Sequence, residues 1–247
     1  INPKVMKRSW IDVAAVVLVA VFVVMAFSTP TERTQGDVAR LFYLHVPGVL
    51  MAYVAFGVAL VGSVGYLATR KMGWDHLAVA GAEVGVVFTG LTLVVGMIWA
   101  KPTWGVFWTW SARLTLTAIM FFVYLGYLTL RRAIDDPDAR ARRAAIYGAF
   151  SIVQVPIVHF SVVWWRDVHQ GRTVLGPGPM QIDGILYLAY LFGLAAMAAV
   201  TASAIRRRYV LAVTEHEIDA ALEAGGGVVA GAAVSAPQIG LDQEPGS

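Results

Sequence analysis

Six apolar runs, near residues 10–29, 46–69, 78–99, 113–131, 144–164 and 184–205, govern what this chain can fold into. Each is close to the roughly 20 residues a helix needs to cross a ~30 Å hydrocarbon core. Backbone groups in lipid must be satisfied internally, which leaves helices or a closed barrel. The runs lack the alternation of a barrel strand. Only 14% of residues are charged and 58% are hydrophobic, where soluble domains carry about 25% charge. The expected fold is all-α: a polytopic membrane protein with six transmembrane helices. Lys4, Lys7 and Arg8 precede the first run as in a signal peptide. The stretch Ile11 to Phe27 exceeds the ~7–15 residues of a signal h-region, and Ser28-Thr29-Pro30 is a poor cleavage site. The first run therefore reads as a retained anchor.

Basic residues set the expected orientation, because cytoplasmic loops carry the excess of Lys and Arg. With the N-terminus cytoplasmic, 13 of the 19 Lys and Arg fall on the inner side, including Arg70, Lys71, Arg131, Arg132 and Arg206-Arg207-Arg208. The outer loops hold Arg33, Arg40, Lys101, Arg113, Arg166 and Arg172. Both termini are then cytoplasmic, and the net charge of +3 describes topology; it implies no nucleic-acid partner. Residues 1–208 read as a six-helix membrane domain and 209–247 as a cytoplasmic tail. A short helix over Thr214 to Glu223 is expected there, then a disordered segment lacking large apolar residues. With no cysteine in the chain, thiol-disulfide exchange by this protein is excluded.

The outer side collects the unusual residues. Three of the eight tryptophans fall within Trp104-Gly-Val-Phe-Trp-Thr-Trp110. If this segment is helical, Trp104, Phe107, Trp108 and Ser111 share a face, since residues three and four apart are neighbours. Such a shelf suits either a large flat ligand or interfacial anchoring; Trp10, Trp74 and Trp99 read as ordinary anchors. His45 and His169 lie at helix ends in two different outer loops. Imidazole is a common metal ligand and an axial ligand of haem iron, although a histidine at a helix end also serves simply as a hydrogen-bonding cap. His159, within the fifth helix about one to two turns below the outer surface, is a core histidine, an alternative ligand or a positioning group for one. His76 and His216 read as solvated, and Glu83 as snorkelling to the cytoplasmic interface.

At these residues the chain resembles a known family. Trp104-Gly-Val-Phe-Trp108-Thr-Trp110-Ser-Ala-Arg113-Leu-Thr is similar to the W-G-x-x-W-x-W-D-x-R-L-T signature of haem-handling proteins of cytochrome c maturation. Phe42-Tyr-Leu-His45-Val-Pro47 and the stretch from Val155 to His169-Gln-Gly171 extend the likeness to the CcmC, or haem exporter protein C, family over roughly residues 10–208. The resemblance implies haem b held on the outer face of the inner membrane. Trp104, Gly105, Phe107, Trp108 and Trp110 would form its platform, with His45 and His169 as axial ligands and His159 as the alternative. Arg113 and Arg172, with Lys101 as a third candidate, would meet the propionates. It further implies delivery to the periplasmic haem chaperone CcmE, and a complex with the ABC transporter subunits CcmA and CcmB and with CcmD. The chain itself would have no catalytic turnover.

One residue departs from the signature: Ser111 stands where the family has aspartate, so any role needing a carboxylate is open there. Other readings make different demands. A small-molecule permease predicts a polar central path, and a b-type electron carrier predicts histidine pairs at matched depths within helices. A larger haem lyase predicts more than six spans.

Overall fold

The computed structural model describes residues 9–32, 35–165, 169 and 184–234, with side chains as far as Leu222. Among the described residues seven helices, α1 (Trp10–Ser28), α2 (Phe42–Thr69), α3 (Met72–Trp104), α4 (Ala112–Arg132), α5 (Pro137–Ser151), α6 (Gln154–Trp165) and α7 (Gly184–Val234), follow one another, with a 3-10 turn over Asp37–Leu41. There is no strand among the described residues. Taken as one span, Pro137–Trp165 joins α1, α2, α3, α4 and α7 to give six segments long and apolar enough to cross a membrane. The chain is an all-α, multi-pass membrane protein, as its hydropathy predicts.

Local chemistry sets the ends. Ser9 caps α1 through a capping box: its Oγ accepts from Ile11 N–H, and Asp12 accepts from Ser9 N–H at 3.1 Å. α2 stops at Arg70, whose left-handed φ of 59° makes the tight turn into α3. Asp136 caps α5 by accepting from Ala139 N–H at 2.7 Å, with Pro137 in the first turn. The fifth run is two helices instead of the one expected. Pro156 has no N–H to give the carbonyl of Ile152, and its ring crowds that carbonyl. Ile152 instead accepts from Val155 N–H at 3.0 Å, and the helix breaks at residues 152–153.

α2 and α3 form the tightest pair, because small residues let their backbones approach. A Cβ on Gly62 would lie 2.5 Å from Ala78 N, and one on Gly81 would lie 2.7 Å from Ala55 O and Ala59 N. α4 packs on this pair, with Tyr124 stacked on Phe56 at 3.6 Å between ring centroids. α1 docks on α7, where Asp12 accepts from Ser203 and pairs with Arg207 at 3.2 Å. Arg131 of α4 grips Asp75 of α3 with two hydrogen bonds of 2.5 and 2.7 Å.

Three further expectations change. Glu83 pairs with Arg208 of α7 and does not snorkel, because a carboxylate at that depth is better satisfied by a guanidinium than by a distant interface. His76 is buried, packed against His216 and Tyr209; the extension of α7 past the sixth run covers it. The short helix expected after Arg208 is the uninterrupted continuation of α7. Residues 235–247 lie outside the described residues.

Candidate functional site

The tryptophan segment is a turn between two helices, which overturns the shared helical face. α3 ends at Trp104 because Gly105 takes a left-handed φ of 79°, and Gly105 N–H bonds Lys101 O at 2.9 Å. This is a glycine stop, for which a Cβ carries a steric penalty. The chain then crosses to Ser111, whose Oγ caps α4 by accepting from Leu114 N–H at 3.5 Å. Serine and aspartate are both strong N-caps. The departure from the family signature therefore keeps the local structural role and drops only the charge.

This turn roofs a cleft between α2, α3, α4 and α6 at one end of the bundle. α2 contributes Phe42, His45 and Tyr53, and α3 contributes Thr92, Gly96, Trp99 and Trp104. Trp108 and Arg113 close the roof, and His159 and His169 also line the cleft. The cavity is about 180 Å³ as room for water-sized molecules, and about 1390 Å³ when all empty space out to its open mouth is counted.

The structure thus brings together all three histidines singled out in the sequence. The His45 ring meets the edge of Trp99 at 5.7 Å, and its buried Nδ1 has no hydrogen-bond partner among the described residues. Gly96 makes room for it, since a Cβ there would sit 2.9 Å from His45 Cε1. His169 stands edge-on to Trp104 at 5.8 Å, and its Nδ1 lies 3.4 Å from an Arg113 guanidinium nitrogen. Arg113 also donates to the carbonyl of His159 at 3.0 Å, and the His159 ring meets Tyr53 at 6.2 Å. One guanidinium therefore ties α4 to α6 and to His169.

Other expected members sit differently. Gly105 acts as the helix stop. Trp110 is 84% exposed and reaches the site only through an edge contact with Trp108 at 5.8 Å. Phe107 is exposed beneath Lys101, whose Nζ donates to Gly105 O at 2.9 Å and lies 5.3 Å from the Phe107 centroid. Arg172 lies outside the described residues. Trp99, read from sequence as an anchor, is a cleft residue fixed by its Nε1–H donating to Gln35 Oε1 at 2.8 Å. The stripe Thr89, Thr92, Gly96, Trp99 and Thr103 repeats at three- and four-residue spacing. That periodicity could have placed Trp99 on the face of His45.

Fold and site together define a multi-pass helical membrane protein with a cleft lined by tryptophan and histidine at one end of its bundle. The family model described as CcmC, heme exporter protein C, matches residues 4–223. The chain belongs to that family. It is 37% identical over 174 residues to the heme exporter protein C of Bradyrhizobium diazoefficiens, covering 70% of this chain and 66% of that relative. It is 38% identical over 167 residues to that of Escherichia coli K12, covering 66% and 67%. The Paracoccus denitrificans protein of the same name is 32% identical over 217 residues, covering 84% of this chain and 90% of its own length.

Proposed function

We propose that the cleft binds haem b and that the protein hands it to the haem chaperone CcmE during cytochrome c maturation, with no catalytic step of its own. The observation that carries this reading is the convergence of His45, His159 and His169 with Trp99, Trp104, Trp108 and Arg113 in one cleft. The donor set fits the ligand. Buried His45 Nδ1 and Trp108 Nε1 lack partners among the described residues, in a setting where unmet polar atoms are costly. Haem iron, if bound, would be held by imidazole nitrogen; His45 and His169 are the proposed ligands, with His159 as the alternative.

The chain supplies the rest. Indole rings offer large flat apolar area to a porphyrin. Arg113, which bridges His169 and His159, is proposed to meet a propionate, with Arg172 beside it. The cleft's 180 Å³ for water-sized molecules is small against the ~300–1,000 Å³ of ordinary ligand pockets, so haem would use the open side of the cleft as well. The distribution of Lys and Arg supports a mouth on the periplasmic face of the inner membrane, with both termini cytoplasmic. Hand-over to CcmE then takes place at the water interface. We assign ATP hydrolysis to CcmA, partnered by CcmB, and CcmD completes the proposed complex.

The test is the visible spectrum of detergent-purified protein beside His45→Ala, His169→Ala and His159→Ala. A Soret band that weakens several-fold or shifts with His45→Ala and His169→Ala is expected, together with less haem covalently captured by CcmE. Loss with His159→Ala alone would move the iron into α6 and favour an electron carrier. Absence of haem from every sample, even after supplementation and co-expression with CcmA and CcmB, would sink the reading.

A further inference from the structure

At the opposite end of the bundle, α3 and α7 bring two other histidines together. His76, near the start of α3, is 7% exposed, and neither ring nitrogen has a hydrogen-bond partner among the described residues. A neutral imidazole offers one donor and one acceptor, so this ring bears the desolvation cost of both with nothing in return. The ring facing it is that of half-buried His216 on α7, 5.3 Å away between centroids and tilted by 57°. His76 is 28 residues from Trp104 along α3, which is about 42 Å at the helical rise. The pair is therefore separate from the cleft.

The spacing has a chemical meaning. Two imidazoles bound to one tetrahedral ion at ~2.0–2.1 Å per bond place their ring centroids about 5 Å apart, and two on opposite faces of a haem iron place them more than about 6 Å apart. The observed separation matches the first arrangement. The register holding the pair is independently fixed. Glu83 lies two turns beyond His76 on α3 and pairs with Arg208, about two turns before His216 on α7. The charged groups around His76 are Asp75, Arg131 and Arg140, and Asp75 is already taken by Arg131. Among the described residues no group of three metal-binding side chains occurs, so the two imidazoles would be the protein's ligands and water would have to complete the coordination, one protein ligand fewer than in open zinc sites. Imidazole donors select zinc, copper or nickel over calcium or magnesium.

We propose that His76 and His216 form a two-imidazole site for a divalent zinc-class transition metal ion, clipping α3 to α7 at the end of the bundle remote from the cleft. The proposal does not depend on the haem reading.

The test uses tag-free full-length protein in detergent, stripped with chelator and dialysed against zinc. Zinc retained per chain is measured for wild type, His76→Ala, His216→Ala and His45→Ala. The expected result is one equivalent weakened at least tenfold by either His76→Ala or His216→Ala and kept by His45→Ala. Copper(II) as a second probe should show nitrogen hyperfine structure from two imidazoles, falling to one in His216→Ala. Alanine at half-buried His216 favours the helix, so that variant carries the test if His76→Ala fails to fold. Zinc retention unchanged in His216→Ala, or no zinc retained by the wild type, would mean that the rings merely pack and would overturn the proposal.

Discussion

The two ends of this bundle treat polar groups in opposite ways. At the end holding the start of α3, charged side chains are matched within the protein: Asp75 with Arg131, Asp12 with Ser203 and Arg207, Glu83 with Arg208. At the other end, His45 Nδ1, Thr92 Oγ1 and Trp108 Nε1 are buried without partners among the described residues. Both ends face the same cost of burying polar atoms. One meets it with its own side chains and is thereby clamped; the other leaves it open to the proposed ligand. Clamping and reception are thus divided between the ends in the main, with His76, Ser63 Oγ and Arg140 Nε as exceptions on the clamped side.

The comparison can be broken most forcefully at Asp75. Its side chain is 2% exposed and that of Arg131 11%, so Asp75→Ala strands a buried guanidinium. Losing one member of such a pair costs about 3–5 kcal/mol. Thermal unfolding in detergent should show a larger drop in midpoint for Asp75→Ala than for any substitution at the cleft end, while haem content per folded molecule stays near wild type. Equal loss of haem would mean that the two ends are not separable.

Gly96→Val should do the reverse. A branched side chain crowds His45, and overpacking costs about 1–3 kcal/mol, but the stronger effect should be a several-fold smaller Soret band in reconstituted protein. An undiminished band would show that His45 does not need its observed seat. At Ser111 the expected change is smaller. Ser111→Ala removes the cap of α4 for about 1 kcal/mol, whereas Ser111→Asp should leave the unfolding midpoint unchanged and restore the family's residue. If Ser111→Asp raises transfer to CcmE, the carboxylate has a role beyond capping. Trp110→Ala, at an exposed ring, should shift stability by no more than about 0.5 kcal/mol. It should also retain most haem, in contrast to Trp104→Ala; equal loss in both would make the whole aromatic turn one platform.

What is legible in the sequence follows from the range of each signal. Hydropathy acts over a whole span, so six crossings can be read directly. The break at residues 152–153 is also written in the sequence, in Pro156, but the continuous apolar run masks it. Gly105 marks the end of α3 plainly enough to contradict a helical tryptophan face. The Asp75–Arg131 pair joins residues 56 positions apart, beyond the reach of any periodicity argument. Trp99 passes for an anchor because an interfacial tryptophan and a cleft tryptophan look alike until the facing helix supplies His45. The three histidines stand out as residue types, but only packing shows that they share one cleft.

The length of α7 has a mechanical consequence. From Gly184 to Leu222 the helix runs 39 residues, about 58 Å at the helical rise, whereas a bilayer with its headgroups is ~40–45 Å thick. Such a rod is longer than the membrane is thick. Arg207 holds it to α1 and Arg208 holds it to α3, so a tilt of α7 would carry those helices with it and move the clamped end as one block.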